Sequence, residues 1–231
     1  MQNIPLINLL YSLIPLLVVT YYYYKWANNK SEIVYSSLRM IIQLLLVGYV
    51  LIFIFEEKNI YLGILILSFM LLVSTWISLR NTHNKSFNHF YKIVLSLGLS
   101  LILHIVLIIN FILDFDTFYE PRYVIPIAGM ILANSMNVIS LAIERFEKEL
   151  ERNESFENAR KIAFKSALIP QINSLLAVGL VSLPGMMTGQ ILSGVDPLIA
   201  VRYQIMIMST ILSSAGISLI IYFYLSKKST Y

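Results

Sequence analysis

Pro184-Gly185-Met186-Met187, with Gly189 two residues on, interrupts a long apolar run. Proline removes a backbone donor and glycine loosens the chain, so carbonyls one turn earlier lose their partners. In hydrocarbon such a break is tolerated beside other helices or a water-filled cavity. It then either offers backbone groups to a passing ion, as discontinuous transporter helices do, or forms a packing kink without substrate contact. Met186 and Met187, with Met130, Met136, Met206 and Met208 elsewhere, carry thioether sulfur suited to a soft metal in transit. Methionine also fills gaps in cores, so the metal at this site stays unknown.

Few polar groups lie within the other apolar runs. Arg39 and Gln43 are four apart and share one helical face, while Asn134 and Asn137 accompany Met130 in a later run. All five are candidates to line a path, because polar groups in hydrocarbon are costly unless they face the interior. Arg39 also lies close enough to the end of its run to reach the water interface along its own stem. His104 is a possible proton or metal group, or a side chain bonded to a neighbouring helix. Asp114, Asp116 and Glu120 cluster between two runs, where they could collect cations.

Several chemistries are missing. The sequence has no Gly-x-x-x-x-Gly-Lys-[Ser/Thr] phosphate loop, no His-Glu-x-x-His, no Gly-x-Ser-x-Gly and no paired intramembrane carboxylates. An enzyme is disfavoured, no catalytic residue is assigned, and no cofactor is expected in this chain. Zero cysteines exclude disulfides and thiolate sites.

The elements that must position these residues are membrane helices. With 58% hydrophobic and 13% charged residues and a mean hydropathy of +0.73, the chain is too apolar for an ordinary soluble domain. Spanning roughly 30 Å of hydrocarbon takes about 20 helical residues, and about seven runs qualify. They cover 4–24, 34–55, 60–79, 93–113, 123–143, 171–193 and 198–225. The expected fold is an all-α polytopic bundle, a single permease-type domain over 1–231, with period-two alternation absent. Lys25 and Lys30, then Arg80, His83, Lys85, His89 and Lys92, then Lys227 and Lys228 mark cytoplasmic segments. The N-terminus is therefore expected outside and the C-terminus in the cytoplasm of a multi-pass cell-membrane protein. The net charge of +4 is spread over loops, so it sets topology and does not suggest nucleic acid.

One cytoplasmic segment, about 144–170, stands apart. From Glu144 to Lys165 it carries six acidic and six basic residues. Asn153 to Ser155 offer helix N-caps with Glu157 in the first turn. Phe156, Ala159, Ala163 and Ala167 recur at three and four, while Arg160, Lys161 and Lys165 project elsewhere. This describes an amphipathic linker in the membrane interface or a docking helix for a cytoplasmic partner.

Several strings together resemble the FetB-like permeases, membrane subunits of an iron-export ABC transporter with plant relatives tied to aluminium tolerance. They are Leu38-Arg-Met-Ile-Ile-Gln43, Val124-Ile-Pro-Ile-Ala-Gly-Met130, Ala167-Leu-Ile-Pro170, Ser182-Leu-Pro-Gly-Met-Met187, Gly194-Val-Asp-Pro197 and Tyr203-Gln-Ile-Met206. The resemblance runs from about residue 35 to 224. It implies export of iron or another metal ion, driven by a separate cytoplasmic ATPase that binds the ATP. Because seven helices rarely enclose a gated path and such ATPases act in pairs, two permease copies are expected. The resemblance further implies that 157–170 is the coupling element, with Glu157, Arg160, Lys161, Lys165 and Pro170 as its residues. The alternative from the residues alone is an ATP-independent channel or secondary transporter.

Overall fold

The computed structural model describes residues 5–27, 31–56, 59–80, 82, 84–113 and 119–227. Asp114, Asp116, His83, Lys30 and Lys228, which carried expectations above, lie outside the described residues. Among those described the regular structure is helical: α1 (Leu6–Leu9), α2 (Leu13–Ala27), α3 (Glu32–Glu56), α4 (Ile60–Ser78), α5 (Phe87–Leu107), α6 (Pro121–Glu151), α7 (Phe156–Ala177), α8 (Gly185–Leu192) and α9 (Pro197–Lys227). A 3₁₀ turn at Leu10–Ser12 joins α1 to α2, and α5 ends in a π-helical stretch at Ile108–Ile112, closed by the Leu113 amide on the Ile108 carbonyl. Among the described residues six segments are long and apolar enough to cross a membrane: Ile7–Ala27, Glu32–Ile52, Ile60–Ser78, Phe87–Ile112, Pro121–Glu151 and Pro197–Lys227. The bundle of about seven spans expected from hydropathy is thus close to what forms.

The chain divides into two compact units, 1–57 and 58–231. In the first, α2 and α3 are apolar nearly all round, and the Tyr23 hydroxyl donates to Glu32 across their junction at 2.6 Å. In the second, α4, α5, α6, α7 and α9 pack around one core. Small residues let these helices approach: Ser96, Gly98 and Ser100 of α5, Ala128 and Ala142 of α6, and Ala200, Ser214, Ala215 and Ser218 of α9 are all buried. The Ser100 hydroxyl donates to the Ser214 carbonyl at 2.9 Å, and the Ser135 hydroxyl reaches the Ser214 oxygen at 3.4 Å. Such bonds across helices replace the water that hydrocarbon cannot supply.

Two of the expected boundaries change. The fifth span does not stop at Ile143: α6 continues for eight residues, six of them charged, to Glu151. Pairs at i,i+4 extend it, Lys148 with Glu144 at 2.6 Å and Arg145 with Glu149 at 2.7 Å. The expected sixth span, 171–193, is not one helix. Its first residues are the last turns of α7, which runs straight through Pro170, and its last are the short α8. The break between them is wider than Pro184-Gly185 alone. It starts at Ala177, whose carbonyl receives the amides of Leu180, Val181 and Ser182, and passes through Gly179 at φ +83°, a backbone that favours glycine. Pro184 closes it by leading into α8 without an amide to satisfy.

Candidate functional site

The α6–α7 hairpin brings the charged segment and the break onto one rod. Its turn is made by Asn153, the one non-glycine at positive φ (62°) among the described residues, and asparagine tolerates that region better than most side chains. Ser155 then caps α7 by accepting from the Asn158 amide, with Glu157 in the first turn as the sequence suggested.

The predicted stripe is the buried face of α7. Ala159, Ala163 and Ala167 have no exposed surface, and Phe156 sets its ring edge-on to Phe146 at 5.2 Å. The apolar face therefore docks on α6 and α9 of the same chain, which disposes of the interfacial-linker reading. Lys161 and Lys165 are exposed on the opposite side, and Pro170 is exposed further along. Glu157 accepts from Lys227 of α9 at 2.9 Å and from Arg160, tying the start of α7 to the end of α9. Behind it Glu149 is buried between Arg145 and Arg152, at 2.7 and 3.4 Å. A buried carboxylate held by two arginines fixes the end of α6 against the turn.

The bond from Lys227, together with the nearby Arg160 and Lys227 charges, holds the Glu157 carboxyl below the usual carboxylate range. A depressed carboxyl contributes stability that is present above its unfolded value of about 4.3 and lost as pH falls through the lower folded one. The α7–α9 contact should accordingly hold from neutral pH down into the acid range and open only below it. Lys227→Ala should raise the Glu157 midpoint in a carbon-detected NMR titration; an unchanged midpoint would show that Lys227 does not hold it.

Helix register locates the other end of the rod. Asn134 meets Gln171 (3.3 Å) and Phe146 meets Phe156, an antiparallel pairing that sets Ala177 level with roughly Ile127, about 9 Å along from the start of α6. Tyr123 stacks near Tyr203 (6.5 Å) and Phe146 near Phe223 (5.4 Å), so α9 runs parallel to α6. The 22 residues of α7 separate its charged start from the break by about 33 Å.

At the break is a cleft of about 290 Å³ between the end of α7, Pro184, Met187 and the first half of α9. Gln204 and Met208, four apart on α9, share its wall with Ser209. The Gln204 side chain is buried, and its amide oxygen meets no donor among the described residues. Of the break residues, Pro184 and Met187 face this cleft, Met186 packs against the core, and Gly189 sits in α8 with its carbonyl accepting from Ser193. Gln204 was the residue not singled out as functional; a glutamine inside an apolar span was the available signal.

Three of the expected path-lining residues, Met130, Asn134 and Asn137, lie on α6 of the second unit. Met130 packs on the core, and its carbonyl accepts from Asn134, which in turn accepts from Gln171. Asn137 lines a separate cleft of about 520 Å³ with Arg80, Met136, Pro170 and Gln171. Arg39 and Gln43 belong to the first unit, on α3. His104 is buried, its Nδ1 donating to the Ser100 carbonyl at 2.7 Å and its Nε2 facing the Ser213 hydroxyl at 2.8 Å. That makes it the helix-bonded histidine of the two readings. His89 likewise donates from Nδ1 to Asn84 and faces the Tyr222 hydroxyl at 2.9 Å. Among the described residues no group of three or more His, Cys, Asp or Glu side chains could hold a metal ion.

The profile of the family described as "Uncharacterised protein family (UPF0014)" matches residues 6–231. The chain is 35% identical over 208 residues to the UPF0014 membrane protein slr1647 of Synechocystis sp., covering 84% of this chain and 80% of that one. It is 35% identical over 220 residues, 87% and 82% of the two chains, to the Probable iron export permease protein FetB of Escherichia coli. It is 29% identical over 229 residues, 91% and 81%, to Protein ALUMINUM SENSITIVE 3 of Arabidopsis thaliana. No solved structure matches the chain.

Proposed function

Because the chain belongs to the UPF0014 family of membrane proteins, we propose that it is the permease subunit of an ABC transporter, exporting iron or another metal ion and driven by a separate cytoplasmic ATPase. The observation that carries this reading is α7 itself. One uninterrupted helix presents Lys161 and Lys165 outward at its start and ends at the break about 33 Å away. Its alanine face is packed without exposed surface, so a push at the charged end is transmitted along the rod and is not absorbed locally. The name of the Escherichia coli relative supplies the cargo and the direction.

Closing of two ATP-bound ATPases would press on the α6–α7 turns of two permease copies, with Glu157, Arg160, Lys161 and Lys165 as contacts and Pro170 at the end of the coupling element. A cytoplasmic position for these ends agrees with the basic loops elsewhere in the chain by the positive-inside rule. The far end would respond at Ala177 to Pro184, where backbone bonds already depart from helix. Alternating access then needs only a cargo that prefers one state over the other. The test is ATP-driven metal uptake by inverted membrane vesicles, where export runs inward: it should require both this chain and the ATPase.

A further inference from the structure

We propose that the cleft between α4, α6 and α7 binds the phosphate of an anionic phospholipid of the cytoplasmic leaflet, with Arg80 as its charge partner. This goes beyond the transport reading and does not depend on it. The cleft, of about 520 Å³, has one charged residue on its wall, the exposed Arg80, and three neutral hydrogen-bonding ones, Asn137, Ser140 and Gln171. No carboxylate lines it, so its chemistry suits an anion and repels a bare metal cation. It is thereby set apart from the route of an iron cargo. The cleft at the break differs, being walled almost wholly by apolar atoms.

Helix register gives the depth of the site. Gly63 of α4 leaves no room for a side chain beside the Tyr119 ring, two residues ahead of α6, and the Ser78 hydroxyl reaches the Met136 carbonyl at 3.5 Å. The two helices therefore run parallel. Arg80 stands about 30 Å along from Ile60, and Ser140 about 28 Å along from Pro121. Both distances match a hydrocarbon layer of roughly 30 Å, which puts the cleft at a membrane boundary. Trp76, 61% exposed one turn before Arg80, is of the type that sits at headgroup level. Arg80, Lys85 and Lys92 around the same loop mark this boundary as cytoplasmic. Beneath the polar groups, Ile77 and Leu141 supply an apolar wall along which acyl chains can start. A cation above apolar wall selects an amphiphile over free phosphate, as basic pockets between membrane helices do for anionic headgroups.

The test places the full chain in nanodiscs of phosphatidylcholine with and without phosphatidylglycerol, measures melting, and counts by mass spectrometry the lipid retained in detergent. Wild type should retain phosphatidylglycerol over phosphatidylcholine and melt higher with it. Arg80→Gln should lower the retained phosphatidylglycerol at least tenfold and remove most of the melting shift, while Arg80→Lys keeps part of both. Ser140→Leu puts an apolar side chain into the polar part of the cleft and should act as Arg80→Gln does, without touching the charge. Lys85→Gln, in the same loop but outside the cleft, should change neither readout. Unchanged retention in Arg80→Gln and Ser140→Leu would overturn the proposal, as would an equal loss in Lys85→Gln, which would reduce the effect to general surface charge. Inorganic phosphate that raises the melting temperature in phosphatidylcholine as far as phosphatidylglycerol does would overturn a lipid as the source of the phosphate.

Discussion

Lys161→Glu/Lys165→Glu should abolish ATP-driven transport and leave the chain folded in the membrane. Both side chains are exposed, one turn apart on the face of α7 opposite its buried alanines, so reversing them disturbs no internal contact described here. At a docking surface, like charges brought together cost several kcal/mol, and 1.4 kcal/mol is a factor of ten. Two reversals are thus worth about 100-fold or more in coupling. Arg160 is the less clean choice, because it also bonds Glu157 and its reversal would loosen the tie from α7 to Lys227. Capture of the ATPase by the tagged permease and flux should fall together; unchanged capture with unchanged flux would remove this face from the interface.

Ala163→Phe should have the opposite signature, loss of the fold itself. The residue has no exposed surface at the centre of the stripe that joins α7 to α6 and α9. A phenyl ring there needs several more carbons than the packing leaves room for, and overpacking a close-packed core costs typically 1–3 kcal/mol, more when a helix must move. Because the same helix carries both the charged end and the break, the expected result is a lowered melting temperature of the detergent-solubilised chain and little monodisperse protein. Melting at the wild-type temperature would mean that α7 is not held as described.

Much of the hairpin is legible in the primary sequence for a physical reason: caps and amphipathic stripes are local. Ser155 ahead of Glu157 marks the helix start, and alanines spaced by three and four mark the buried face. Other features depend on tertiary context. The charged residues 144–151 read as the beginning of a cytoplasmic segment, yet their spacing by four lets them pair and prolong α6. Pro170 suggests the end of the coupling element, but it lies on the exposed side of α7, where the helix can lose one bond and continue. Pro184 and Gly185 mark the break correctly, while its onset at Ala177 depends on one carbonyl serving three amides and on Gly179 reaching positive φ. Gln204 lines one cleft with Pro184 and Met187, and that juxtaposition spans two helices and a loop. Asn134 and Asn137 share a chemistry, which a sequence shows, and a common neighbour in Gln171 of α7, which it does not.

A kink in the middle of a span would bend the rod, whereas this structure puts an intact helix between the charged turn and an irregular segment near its far end. On the proposed mechanism, force applied at one end would arrive at backbone bonds that are already irregular.

The central claim, that this chain carries metal under the power of a separate ATPase, is tested most directly by metal uptake into inverted vesicles holding the permease, the ATPase, both or neither. Uptake that needs both chains and ATP, and disappears in Lys161→Glu/Lys165→Glu, is the predicted result. Uptake that proceeds with the permease alone and is indifferent to ATP would contradict it, and would make the protein a channel or secondary transporter instead.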